Sequence, residues 1–93
     1  MRPYEMMVLM SPDIEEPKEE VSKIEEVVRG LGGEIVKTDV LGKKRLAYEI
    51  QKRNEGNYAL FNFKLEPQQT FELKRVLGLR PNVWRQMIIL LDE

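Results

Sequence analysis

Two hydrophobic periods alternate along this chain, and their order leaves few folds open. Tyr4, Met6, Val8 and Met10 alternate with Glu5, Met7 and Leu9, the two-residue period of a strand. Ser11-Pro12-Asp13 breaks that run. Val21, Ile24, Val27, Val28 and Leu31 then recur at helical spacing and form one apolar stripe. Pro17 suits the first turn of this helix, acidic residues gather there as the helix dipole favours, and Gly32-Gly33 ends it. Strand character returns at residues 34–41 with Ile35, Val36, Val40 and Leu41, and Gly42 marks a bulge or bend. Leu46, Tyr48 and Ile50 alternate with Ala47 and Glu49, and Lys52-Arg53-Asn54-Glu55-Gly56-Asn57 reads as a polar hairpin loop. Residues 58–65 put Ala59, Phe61, Phe63 and Leu65 on one face and Tyr58, Leu60, Asn62 and Lys64 on the other. Pro67 and Thr70 open a second helix carrying Phe71, Leu73, Val76 and Leu77, which Gly78 ends. Arg80-Pro81-Asn82 is a turn, and residues 83–91 form a last strand. In that strand Val83, Met87, Ile89 and Leu91 compete with Trp84, Ile88 and Leu90 for the inward face.

Strand, helix, strand, strand, helix, strand is the ferredoxin-like βαββαβ order, an α+β fold. It predicts a four-stranded antiparallel sheet with two helices on one face and the other face open. With Tyr4, Met6, Val8 and Met10 turned to the helices, Met7 and Leu9 point outward, joined by Tyr58 and Leu60. That much apolar character on an open face suggests a docking surface. The plainer reading is a handful of scattered exposed apolar residues.

The chain has 93 residues, a length that predicts a single domain over residues 1–93. No run approaches the ~18 apolar residues of a membrane span. Met1-Arg2-Pro3-Tyr4-Glu5 precedes only five apolar residues, so the start does not read as a signal peptide. The chain has no cysteine and no histidine, which removes disulfides, thiolate nucleophiles, the commonest general base and the commonest metal ligand. Ser11 and Ser22 lie in no nucleophile motif. Glu15-Glu16, Glu19-Glu20 and Glu25-Glu26 lie on or beside a solvent-facing helix, where no desolvation raises a carboxyl group to acid duty. Gly30, Gly32 and Gly33 follow a helix rather than open one, so they make no phosphate loop. The expectation is a protein that is not an enzyme and takes no cofactor and no metal.

The formal net charge is −1, which at first argues against a polyanion partner. Position changes that inference. Residues 1–34 sum to −5, residues 35–91 to +6, and Asp92 with Glu93 adds −2. Screening acts over roughly 8 Å at physiological salt, so an acidic face does not cancel a distant basic one. Lys43-Lys44-Arg45 lies between the Gly42 bend and an alternating segment. Three adjacent charges there suit either phosphate contact or protection of a sheet edge. A second basic set is Arg80, Arg85 and Arg75 around the turn into the last strand, with Arg2 expected nearby because first and last strands are neighbours in this fold. Trp84 beside Arg85 suits stacking on a base or a protein hot spot, or else the core.

Gly42-Lys43-Lys44-Arg45-Leu46-Ala47-Tyr48-Glu49-Ile50 resembles the signature of the bacterial small-subunit ribosomal protein six family. Met1-Arg2-Pro3-Tyr4-Glu5, Tyr58-Ala59-Leu60-Phe61-Asn62-Phe63 and Leu79-Arg80-Pro81-Asn82-Val83-Trp84-Arg85-Gln86-Met87 resemble its start, third strand and last turn and strand. The resemblance covers essentially the whole chain in order. It implies a structural protein of the small ribosomal subunit, in the cytoplasm, that binds the central domain of small-subunit rRNA together with small-subunit ribosomal protein eighteen. It then implies Arg2, Lys43, Lys44, Arg45, Arg80 and Arg85 as RNA-binding positions, while Met7, Leu9, Tyr58, Leu60 and Trp84 form the expected protein-partner surface. Three positions depart from the family pattern: Glu49 where proline is frequent, Trp84 where a basic residue is common, and an acidic Asp92-Glu93 end that argues against a C-terminal RNA contact. Two rivals share the element order. A single-strand reader of the RNA-recognition-motif type would need surface aromatics, whereas Phe61 and Phe63 share the core face. A small-molecule regulatory module, homodimeric through its sheet, would have no use for Lys43-Lys44-Arg45.

Overall fold

A computed structural model describes residues 1–91 of the chain. Asp92 and Glu93, with the expectation placed on them, lie outside the described residues. The elements are β1 (Arg2–Met10), α1 (Pro17–Gly30), β2 (Glu34–Ile50), β3 (Arg53–Leu65), α2 (Thr70–Gly78) and β4 (Val83–Leu90), with a short 3₁₀ turn at Pro67–Gln69 before α2. The strands form one antiparallel sheet in the order β2-β3-β1-β4. This is the ferredoxin-like arrangement that the alternating periods predict.

The core lies between the sheet and the helices. Met6, Val8 and Met10 of β1 and Ala59, Phe61, Phe63 and Leu65 of β3 meet Val21, Ile24 and Val28 of α1 and Leu73 and Leu77 of α2. Tyr4 stacks on Phe63 with ring centroids 5.7 Å apart, an offset geometry that adds to simple burial. Phe71, expected on the apolar stripe of α2, is instead 78 % exposed. Leu73 and Leu77 stand four residues apart on the buried side, whereas Phe71 is two residues, or about 200°, from Leu73.

The last strand resolves its own ambiguity with a bulge. Met10 pairs with Val83 and Leu9 with Arg85, so Trp84 is an extra residue that shifts the phase of the strand. Val83 is buried before the bulge and Ile88 packs against the core after it, although they belong to opposite alternating sets. Gly42 produces the corresponding irregularity in β2, where the register shifts between Val40 and Gly42. Its φ of +80° lies in the region that side chains disfavour, while the space around it is open.

The hairpin differs from the expected polar loop at residues 52–57. Strand β3 already begins at Arg53, and the turn is the pair Gln51 and Lys52, with φ of 49° and 65°. Positive φ at both positions is the two-residue turn whose twist matches a hairpin, built here without the usual asparagine or glycine.

Candidate RNA and protein interfaces

Strands β2 and β3 form an arm that outgrows the sheet. Arg45 pairs with Glu55 and Ile50 with Arg53, so residues 46–49 of β2 stand opposite Asn54 alone. The surplus length takes β2 out of the ladder and over the open face of the sheet. There Leu46, Ala47, Tyr48 and Ile50 join Met7, Leu9, Tyr58, Arg85 and Met87 around a groove of about 400 Å³. Tyr48 reaches across to β4, where the Arg85 guanidinium carbon lies 5.2 Å from its ring centroid. That distance is within range of a cation–π contact.

Polar contacts hold the β3 side of the arm at its tip and at its root. Arg53 donates from Nη1 to both carboxylate oxygens of Asp13, at 2.6 and 2.8 Å. Asn57, itself buried, donates from Nδ2 to the Ser11 carbonyl at 2.9 Å. Both contacts tie β3 to the segment leaving β1. Gly56 allows the closest approach of arm and sheet: a Cβ there would stand 2.5 Å from Leu9 Cδ1 and 3.1 Å from the Met10 carbonyl. Leu9 is consequently 6 % exposed although it sits on the open face.

The basic residues separate into distinct places. Lys43, Lys44 and Arg45 are exposed on the arm, opposite Asn57, Gly56 and Glu55. Among the described residues no carboxylate lies within 4.0 Å of any of the three. Directly paired residues share a face, so Lys44 belongs with Gly56 to the open side, and Lys43 and Arg45 to the helix side. Arg2 is exposed opposite Leu65, while Arg85 is opposite Leu9. Seven residues of β1 separate those rows, about 23 Å along the strand. The expected grouping of Arg2 with the arginines of the last turn therefore does not form.

Arg80 is held within the molecule. Its Nε and Nη2 donate to the two oxygens of Glu20 on α1, at 2.5 and 3.0 Å. Glu20 is 5 % exposed. The Arg80 hydrogen bonds hold the Glu20 carboxyl below the usual carboxylate range, although burial pushes the other way. Arg80 thus locks α1 to the turn before β4. Arg75 is similarly taken by Glu72, with a hydrogen bond of 2.6 Å.

Of the expected partner surface, Met7, Leu9 and Tyr58 line the groove together. Leu60 is half-buried in the next row, opposite Met7. Trp84 is half-buried at the bulge and does not line the groove. Sequence reasoning missed Leu46, Ala47, Tyr48, Ile50 and Met87 as wall residues. Its available signal was the apolar alternation of Leu46, Tyr48 and Ile50 continuing beyond the length of the core strands.

A basic arm stands beside an apolar open face, an arrangement suited to binding through the surface. Among the described residues no three metal-ligating side chains gather, and no helix is long and apolar enough to cross a membrane. Residues 3–90 match the family profile described as Ribosomal protein S6. The chain is 47% identical over 91 residues to small ribosomal subunit protein bS6 of Acidothermus cellulolyticus, covering 96% of this chain and 95% of that one. It is 44% identical over 95 residues to the bS6 protein of an Arthrobacter strain, covering 100% and 94%. Among solved structures, 30S ribosomal protein S6 from Thermotoga maritima superposes with a TM-score of 0.88 at 29% identity, covering 97% of this chain and 87% of that one. The P2 domain of a chemotaxis kinase from the same organism superposes with a TM-score of 0.67 at 13% identity, covering 97% and 98%, which shows a shared fold alone. The chain belongs to the ribosomal protein S6 family, the bS6 proteins of the small ribosomal subunit. It is a structural component of the cytoplasmic ribosome rather than an enzyme.

Proposed function

We propose that this protein binds the central domain of small-subunit rRNA as a pair with small-subunit ribosomal protein eighteen. In this reading Lys43, Lys44 and Arg45 contact phosphates, and the open sheet face docks the protein partner. The observation that carries it is the juxtaposition on one arm of the wall of an apolar groove and three exposed cations with no carboxylate within 4.0 Å among the described residues. Lysine and arginine side by side repel each other, and a phosphate backbone relieves that repulsion with charge-assisted hydrogen bonds. Arg2 adds a separate contact at the far end of the sheet. Arg80 is not counted, because Glu20 already neutralises it. Arg85 faces the groove and passes from the RNA set to the protein side. The acidic helix α1 packs on the opposite face from the groove, so of the three arm cations only Lys44 lies on the side away from it.

A few phosphate contacts release few counterions, so this chain alone binds weakly and with salt sensitivity. A partner that holds both the groove and the RNA makes the second contact intramolecular and cheaper in association entropy. A binding titration on a central-domain rRNA fragment across a salt series tests this. The expected log–log slope is about −4, with affinity rising at least about tenfold when the partner is present. A flat salt response, or an affinity indifferent to the partner, contradicts the proposal.

A further inference from the structure

Arg85 stands at the rim of the groove with its guanidinium carbon 5.2 Å from the Tyr48 ring centroid. Its guanidinium carries five N–H donors, and a contact with the π face of a ring does not use them as hydrogen bonds to an acceptor would. Among the described residues no side-chain hydrogen bond of Arg85 and no carboxylate within 4.0 Å uses those donors. The ring contact also restricts a side chain that otherwise loses rotamer freedom on binding. Around it the walls are apolar, formed chiefly by Met7, Leu9, Leu46, Ile50 and Met87.

We infer that the groove takes one large apolar side chain of a protein partner, with a carboxylate of the same segment on the in-plane donors of Arg85. The inference rests on the docking reading above and specifies the chemistry of what docks. A volume of about 400 Å³ suits a single anchoring side chain with its adjoining backbone. A nucleobase is the poorer occupant, because its edges carry donors and acceptors that these apolar walls leave unpaired. A bare phosphate would satisfy Arg85 and leave the apolar walls wet. Lys44, on the same side of the arm, adds to the positive field that an acidic segment meets.

Nuclear magnetic resonance titration of the full isotope-labelled chain with short capped peptides tests this. The first peptide carries leucine followed by aspartate; one control replaces the aspartate by asparagine and another replaces the leucine by serine. The leucine–aspartate peptide shifts the amides of Met7, Tyr48, Tyr58 and Arg85. The asparagine control binds about tenfold more weakly, and Arg85→Gln abolishes that difference. Equal binding of the acidic and amide peptides overturns the inference. So does the absence of any shift at millimolar peptide, or a short oligonucleotide that shifts the same amides at lower concentration. The same variants, titrated with the protein partner proposed above, separate the two readings. If Met7→Glu weakens that partner and Arg85→Gln does not, docking stands and the carboxylate inference falls. If neither variant weakens it, the docking reading itself falls.

Discussion

Replacing Lys43, Lys44 and Arg45 together by glutamine lowers the affinity of this protein for small-subunit rRNA on the order of 100-fold at physiological salt. Each lost phosphate contact reduces the log–log salt slope by about one, so the triple variant keeps only the slope of about −1 that the Arg2 contact supplies. The fold survives the change. All three side chains are exposed and make no ion pair among the described residues. Surface substitutions of that kind usually stay within about 0.5 kcal/mol of the parent. Binding titrations at several salt concentrations, read beside thermal unfolding, check both halves. An unchanged salt slope would remove the run from the RNA surface, and a collapsed melting temperature would assign it a folding role.

The second large effect concerns stability. Glu20→Gln destabilises the protein by about 2 kcal/mol at neutral pH, below the 3–5 kcal/mol of a fully buried pair because Arg80 keeps some contact with water. In a domain of this size that lowers the melting temperature by about 10 °C. The pH dependence has a definite sign. Glu20 is held below its ordinary value, with the Arg80 hydrogen bonds as the leading cause. The unfolded state therefore takes up its proton first as pH falls. The contribution is complete above about pH 5 and is lost as pH drops from the unfolded value near 4.3 through the lower folded one. Melting curves of the parent and Glu20→Gln should thus converge on acidification. A difference that does not shrink as the pH falls would mean that the charge of Glu20 contributes nothing.

The parts of the fold that were legible in the sequence rest on periodicity. Tyr4, Met6, Val8 and Met10 declared the inward face of β1, and Val21, Ile24 and Val28 that of α1, because burial on one face imposes period two on a strand and a stripe on a helix. The irregularity at Gly42 was legible as a bulge or bend, since a glycine inside a strand pattern marks a break in the ladder, although its positive φ was not foreseen. Other features needed the third dimension. Alternation cannot follow a phase shift, so the bulge at Trp84 hid the face of β4. The pair Gln51-Lys52 carries no turn signal, so the loop was read too far along the chain.

Of the interfaces, the basic run was visible as a cluster, and Met7, Leu9 and Tyr58 followed from the inward face of their neighbours. The Arg80–Glu20 pair joins residues sixty positions apart, and nothing local distinguishes an arginine with a buried acid from one facing a phosphate. The bend that carries Tyr48 over Arg85 depends on residues 46–49 having only Asn54 opposite them, a register mismatch that no single strand reveals. The polarity of charge along the chain survives only in part as a polarity of faces: α1 and its carboxylates lie on one side of the sheet and the groove and Lys44 on the other, but Lys43 and Arg45 share the helix side.

Chemical footprinting of small-subunit rRNA, with this protein alone, with ribosomal protein eighteen alone and with both, tests the central claim most directly. Protection confined to the central domain, weak with either protein and strong with the pair, is the expected result. The Lys43, Lys44 and Arg45 triple variant should lose it. Protection in another domain, or full protection by this protein without its partner, would contradict the account.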